Sequence, residues 1–262
     1  MAEAWLLQAA LGGYAAAWLT PPRHGVRAAA AAAGAIALHT AALAWRWLAH
    51  GHGPFTTMHE VLSSSLWSLA LVLALSAWGV GEVRQAWRVV APVLAVLAGW
   101  ALWAPAGRGH FLPTYATPLL YLHAVLGKAF LGLLLVAVAL AGVPLLRHLR
   151  RDAGLVAAAG SDRRLDELAH RFAAFALVAD SLMLVVGAAW AQDAWGRYWA
   201  WDPLETWAFA TWLALVAALH ARATLRPAPW LHGLWLAGIF AIAFLTFFGV
   251  PFLSTAPHKG AL

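Results

Sequence analysis

Residues able to do chemistry gather in one stretch, 190–207, which reads Trp-Ala-Gln-Asp-Ala-Trp-Gly-Arg-Tyr-Trp-Ala-Trp-Asp-Pro-Leu-Glu-Thr-Trp. Trp190, Trp195, Trp199, Trp201 and Trp207 stand there with Tyr198, interleaved with Asp193, Arg197, Asp202 and Glu205. Gly196 and Pro203 break helical continuity, so the middle is read as a loop between two helices. Aromatic faces with a few fixed charges suit a flat, amphipathic, mostly apolar ligand at a membrane surface, and porphyrin has that shape. The plainer reading is an interfacial aromatic belt, which needs no such density in one loop.

Histidine supplies the second half of that chemistry. The chain has 12 histidines and no cysteine, so it holds neither a disulfide nor a thiolate metal site, and any metal falls to imidazole or carboxylate. His123 opens one apolar run and His258 follows the last, both at the level of the aromatic loop. Two neutral imidazoles approaching from two faces would hold haem iron and leave no open position. His39 and His220 lie inside apolar runs, where an ionisable group is costly and invites a functional reading. For each of the four, the alternative is a histidine satisfied by hydrogen bonds within a helical bundle. The other eight (His24, His50, His52, His59, His110, His148, His170 and His232) read mostly as loop residues. His50 and His52 flank a glycine and make at best a weak two-ligand metal site. Asp180, inside an apolar run, is unexplained unless it pairs with a histidine or faces one end of the bundle.

The elements that must position these groups are membrane spans. The sequence is 63% hydrophobic and 11% charged, with a mean hydropathy of +0.72, so a polytopic membrane protein embedded in the lipid bilayer is expected. Eight apolar segments can be drawn, at 3–19, 27–49, 58–78, 89–104, 118–146, 172–190, 205–222 and 231–250. The fold class expected is all-α, with eight transmembrane helices and an extracytoplasmic aromatic loop. Residues 1–262 form one domain, and 147–171 is a polar cytoplasmic loop with helical character around Arg163–His170. Of the 17 basic residues, 12 fall in alternate loops at 23–27, 84–88, 147–171 and 222–226. The net charge of +6 therefore reports topology and not affinity for nucleic acid. The same bias places both termini and the aromatic loop outside the cytoplasm, which suits an even number of spans. No cleavable signal peptide is expected, because the first apolar run follows Glu3 without a basic leader.

The segment Trp-Gly-Arg-Tyr-Trp-Ala-Trp-Asp-Pro-Leu-Glu-Thr-Trp at 195–207 closely resembles the tryptophan-rich (WWD) signature of haem-handling proteins in cytochrome c assembly. Its ending resembles the CcsA (ResC) branch of the System II pathway; CcmC of System I has a related loop, a different ending and usually six spans. Leu38-His39-Thr40, Leu122-His123, Leu219-His220-Ala221-Arg222 and His258 fall at the family's histidine positions. Thr57-Met58-His59-Glu60 resembles the family's segment opening the third span, where tyrosine usually replaces His59. The resemblance implies an external haem b gripped by His123 and His258 over the loop, and a second, transmembrane site using His39 and His220. It further implies presentation of haem to a reduced apocytochrome c, whose Cys-x-x-Cys-His thiols add to the vinyl groups.

Departures from the family pattern are Leu204 in place of lysine, no glycine just before His258, and no fused extracytoplasmic domain. His220 lies two residues from Arg222, whereas His39 sits well into its span, roughly 18 Å at about 1.5 Å per residue. The reading adopted is a haem-handling subunit of a cytochrome c synthase (haem lyase), completed by a CcsB-like membrane subunit. Trp195, Tyr198, Trp199 and Trp201 would form the platform, with Asp202 and Glu205 fixing the turn by hydrogen bonds. Arg197 and Lys128 would meet the propionates. Positioning thiols beside vinyls needs no catalytic side chain of this chain. Three alternatives stay open: a standalone HemX- or YpjD-like haem-binding protein, a quinol-linked carrier with two haems across the bilayer, and a transporter relaying protons through histidines and Asp180.

Overall fold

The computed structural model describes residues 2–21, 24–149 and 159–253, and among them every regular element is helical. Ten α-helices follow in order: α1 Ala2–Leu19, α2 Gly25–His50, α3 Met58–Gly79, α4 Gly81–Ala86, α5 Ala91–Trp103, α6 Pro118–His148, α7 Asp162–Trp195, α8 Pro203–Leu225, α9 Pro229–Phe248 and α10 Val250–Leu253. Six of them, α2, α3, α6, α7, α8 and α9 (the last continued through α10), are long and apolar enough to cross a membrane. Eight spans were expected. The segment drawn at 89–104 is α5, too short to be counted alone; it meets the helical stretch Gly81–Val89 at a bend of 58°, and counting the pair as one span gives seven. The first drawn segment is α1, a helix of 18 residues that carries Glu3, Gln8 and two glycines and does not join the six.

Local sequence sets the helix ends. Proline opens α6, α8 and α9, where its missing N–H is no loss. Gly196 ends α7 in the left-handed region at φ 74°, a conformation that costs glycine little. The loop drawn at 190–207 is thus shorter than expected: 190–195 complete α7, 203–207 begin α8, and 196–202 alone are non-helical. The polar segment 147–171 is helical at its two described ends, 147–148 and 162–171. α6 continues to His148 and α7 already starts at Asp162, capped by the Ser161 hydroxyl, because 162–171 is amphipathic rather than unstructured.

α6 is the central strut, packed by α3, α7 and α9, with Phe130, Leu134, Leu135, Val136 and Leu140 essentially unexposed. Lipid offers no hydrophobic drive to hold helices together, so close approach of small residues does that work. Gly233 of α9 lies against the carbonyl of Ala141, where any Cβ would collide with backbone. A buried ion network ties the α1–α3 corner to the loop after α5. Arg46 donates to Glu60 at 2.7 Å, to Glu3 at 3.0 Å and to the Gly107 carbonyl at 2.6 Å. Glu60 also completes the capping box of α3 with Thr57 and accepts from the backbone and hydroxyl of Thr56, each at 2.8 Å. Removing one member of such a buried pair costs roughly 3–5 kcal/mol, since the other charge is left stranded.

Candidate functional site

At the end of the bundle where α6 begins, α7 ends and α8 begins, the helices and the loop before α6 enclose a cleft of about 230 Å³. Its walls are mostly apolar, contributed by Phe55, Leu120, Met183, Leu204 and Phe247, with His123, Lys128, Ser65, Glu205 and Thr246 among the polar groups. Tyr115, Leu120 and Trp190 form a small separate core beside it, and burial pushes the Tyr115 phenol above its usual pKa. The Trp190 indole N–H donates to the Thr114 carbonyl at 3.0 Å, holding the loop before α6 to the end of α7.

His123 is half-buried in this cleft, its ring 6.1 Å from that of Trp190. Its Nδ1 lies 3.0 Å from the main-chain carbonyl of Met183. A carbonyl only accepts, so Nδ1 carries the hydrogen and the neutral ring has its lone pair on Nε2, the form that binds metals. The approach depends on Gly187, one turn along α7, where a Cβ would stand 2.7 Å from Nδ1. Gly127 makes the matching concession on α6, facing the sulfur of Met183 at 3.0 Å from a would-be Cβ.

One turn deeper on α6, Lys128 donates to the hydroxyls of Ser64 and Ser65 on α3, both at 2.9 Å. Among the described residues no carboxylate stands within ion-pair distance of its ammonium. An uncompensated cation in a mostly apolar cleft is costly, and an anionic ligand group would offset it.

The loop at 196–202 is fixed by hydrogen bonds of its own. Asp202 caps α8 by accepting from the Glu205 N–H at 2.9 Å, while Glu205 accepts from the N–H of Ala200 at 2.7 Å and of Asp202 at 3.4 Å. Tyr198 and Trp199 line the cleft. The Trp199 indole N–H is buried there with no hydrogen-bond partner among the described residues, a state costing roughly 1–3 kcal/mol unless a ligand oxygen meets it. Trp201 stands edge-on to Trp199 at 5.7 Å, two-thirds exposed, on a backbone with φ 57°. Trp195 packs on Trp190 at 5.0 Å, behind the cleft wall. Arg197 is exposed and not part of the wall, so of the two expected propionate partners the structure brings Lys128 to the cleft and leaves Arg197 outside it.

His258 lies outside the described residues. His39 is wholly buried, with Tyr14 Oη 3.3 Å from Nδ1 and Ser63 Oγ 2.9 Å from Nε2, so both ring nitrogens are engaged. His220 is exposed on α8. α2 packs on α1 and α3, and α8 on α7 and α9. Several histidines read from sequence as loop residues are helical: His59 in α3, His170 in α7 and His232 in α9, the last with no exposure. Asp180 is buried in α7, and among the described residues neither of its oxygens is partnered and no histidine pairs with it.

Sequence reasoning missed Met183, whose contribution is a backbone carbonyl, and Ser64 and Ser65. It also passed over Gly187 and Gly127. Glycine in a helix interior costs about 0.5–1 kcal/mol relative to alanine, and that cost was the available signal of a close approach.

Comparison with known proteins gives a consistent picture. Residues 35–258 match the family model described as cytochrome C assembly protein. The chain is similar to a cytochrome c biogenesis protein CcsA of Synechococcus sp. (strain RCC307), at 30% identity over 260 residues, covering 85% of this chain and 80% of the relative. It is also similar to the CcsA proteins of Guillardia theta, 41% identical over 101 residues, and Gloeobacter violaceus, 39% identical over 101 residues. Each of these two matches covers 36% of this chain, and 32% and 28% of the respective relative.

Proposed function

The chain belongs to the cytochrome c assembly protein family, which gives it a role in cytochrome c biogenesis, and from that premise we propose that it binds haem b in the outer cleft and presents it for attachment to apocytochrome c. The observation that carries the proposal is the His123–Met183 hydrogen bond, which sets the imidazole in its metal-binding tautomer inside an aromatic-walled cleft. His123 and His258 would be the iron ligands, as the family resemblance implies.

The residues present fit that group in two further ways. Gly187 keeps clear the space that the His123 ring occupies. Lys128 offers a cation lacking a counter-ion among the described residues, and Trp199 offers an unsatisfied N–H, both suited to a carboxylate edge. At about 230 Å³ the cleft is smaller than the roughly 300–1,000 Å³ of enclosing ligand pockets, so it would enclose only part of a macrocycle. His39 and His220 are a weaker pair for a second haem, since both nitrogens of His39 already have partners.

The attachment step would consist of bringing the substrate's thiols beside the vinyl groups and excluding water, for which orientation suffices. A CcsB-like subunit would complete the synthase, with the aromatic loop and both termini on the extracytoplasmic side of the cell membrane. The test is co-expression with an apocytochrome c in a host stripped of other maturation systems, with and without that subunit. Haem should co-purify with this chain in both cases, and covalent haem staining of the apocytochrome should need the partner. A purified chain with no Soret band in either case would overturn the reading.

A further inference from the structure

The outer cleft has an open end and a closed end, and its polar groups are not shared evenly between them. At the open end Tyr198, which lines the cleft, is 63% exposed. At the closed end Ser65 is 2% exposed and its neighbour Ser64 4%, and both hydroxyls accept from the Lys128 ammonium. Lys128 follows His123 by five residues on α6. The backbone that carries the cation therefore lies roughly 7.5 Å further into the bundle than the backbone that carries the imidazole, at about 1.5 Å per residue.

The closed end has hydrogens left to give. An ammonium carries three, and Ser64 and Ser65 take two of them. Ser64 passes its own hydrogen to the Pro54 carbonyl at 3.0 Å, whereas the Ser65 hydroxyl hydrogen meets no acceptor among the described residues. The buried Trp199 N–H is a third unused donor. Groups that could have answered them are turned elsewhere. Glu205 accepts from the backbone of Ala200 and Asp202, and Thr246 donates to the Ile242 carbonyl at 2.9 Å. Donors left over in a mostly apolar cleft select an anion, and Lys128 with Ser65 can meet the two oxygens of one carboxylate. In protoporphyrin the propionates and the vinyls stand on opposite edges of the ring, so seating one edge presents the other. With haem as the cargo, an assignment on which this step rests, we propose that the macrocycle enters carboxylate edge first. Lys128 and Ser65 hold a propionate at the closed end, and the vinyl edge stays at the mouth beside Tyr198. The site then selects tetrapyrroles by their free carboxylates and is indifferent to what stands at the vinyl positions. A seated propionate also gives Lys128 the counter-ion that the described residues do not supply.

Three ligands separate the edges: haem, mesohaem, whose ethyl groups replace the vinyls, and haem dimethyl ester, whose carboxylates are blocked. Each is titrated into the haem-depleted full chain in detergent, and quenching of tryptophan fluorescence, corrected for protein-free micelles, gives its affinity. Mesohaem should match haem within about twofold, and the ester should bind about tenfold more weakly, the loss expected for one charge-assisted hydrogen bond. Lys128→Met should weaken haem and mesohaem by about the same tenfold and leave the ester unchanged, so that the three ligands become equal. Unchanged ester binding also reports that the cleft of the variant is intact. Ser65→Ala should act in the same sense by about threefold, and it carries the test if Lys128→Met does not fold. An ester penalty that persists in full in these variants overturns the orientation and leaves haem as the cargo. So does a loss of affinity for mesohaem with none for the ester. A chain that binds none of the three ligands overturns haem as the cargo, and the orientation with it.

Discussion

His123 Nδ1 sits 3.0 Å from the Met183 carbonyl, and the two meet because residue 187, a turn beyond Met183, has no side chain. One backbone carbonyl and one missing methyl thus decide which nitrogen of His123 is basic and where it sits. Gly187→Ala would place a Cβ 2.7 Å from Nδ1, closer than real contacts allow, and the neighbouring atom is a ring held by its own hydrogen bond. The expected outcome is a lower haem yield and an altered Soret maximum in the purified protein. Alanine favours the helix itself by about 0.5–1 kcal/mol, so thermal stability should hold or rise. Haem and stability falling together would show that Gly187 serves packing of α6 on α7 and not the ligand.

Removal of the His123 ring itself gives the complementary result. His123→Gly should lose most retained haem, and added imidazole should restore it by filling the vacated coordination position. Recovery measured as Soret absorbance against imidazole concentration separates a lost ligand from a collapsed cleft, since free imidazole repairs only the former. An unchanged spectrum in His123→Gly would make this residue a structural histidine.

Lys128 and Arg197 are both cations near the aromatic loop, but only Lys128 lines the cleft. Lys128→Met keeps the aliphatic stem and removes the charge, and should weaken haem retention about tenfold, equivalent to roughly 1.4 kcal/mol for a charge-assisted hydrogen bond. Arg197→Ala should change retention less than twofold. Haem titration of the depleted proteins measures both. The reverse order would mean that the propionates face outward, towards the exposed loop.

Most of the fold was legible in the sequence because hydropathy and helix punctuation are local properties. Gly196 and Pro203 mark where α7 ends and α8 begins, and the apolar runs locate α2, α3, α6, α8 and α9 closely. Legibility failed where a helix is not uniformly apolar: the first turns of α7 are polar on one face, and hydropathy reads them as loop. It failed again for His232, which sits near the start of an apolar run while its partner Asp166 is 66 residues away. The candidate site divides in the same way. His123 and the aromatic loop announce themselves by residue type, but Met183 acts through its backbone, and Ser64 and Ser65 through the side of α3 that meets Lys128. Those roles exist only once helices pair.

Topology can be read chemically because the chain has no cysteine. Ala106, exposed in the loop after α5, and Leu149, exposed at the end of α6, lie at opposite ends of the bundle and avoid left-handed backbone. Ala106→Cys should react with a membrane-impermeant maleimide from the extracytoplasmic side, and Leu149→Cys only after the membrane is opened. Labelling of both from one side would refute the inside-positive orientation of the basic loops.

Trp201 holds the left-handed region at φ 57° with a large side chain, two-thirds exposed. That backbone costs a non-glycine residue about 1–2 kcal/mol, and the ring makes edge contacts with Trp199 at 5.7 Å and Phe209 at 6.1 Å. Glycine at this position would relieve the strain, offset by about 0.5–1 kcal/mol for its freer unfolded chain, so the two effects nearly cancel. Trp201→Gly should therefore leave thermal stability within about 1 kcal/mol of the unmodified protein, the Asp202–Glu205 cap still anchoring α8. Haem retention or delivery to the apocytochrome should nonetheless fall, because the exposed face is what the strained backbone presents. Stability lost by several kcal/mol, with haem handling unchanged, would assign the tryptophan to the fold alone.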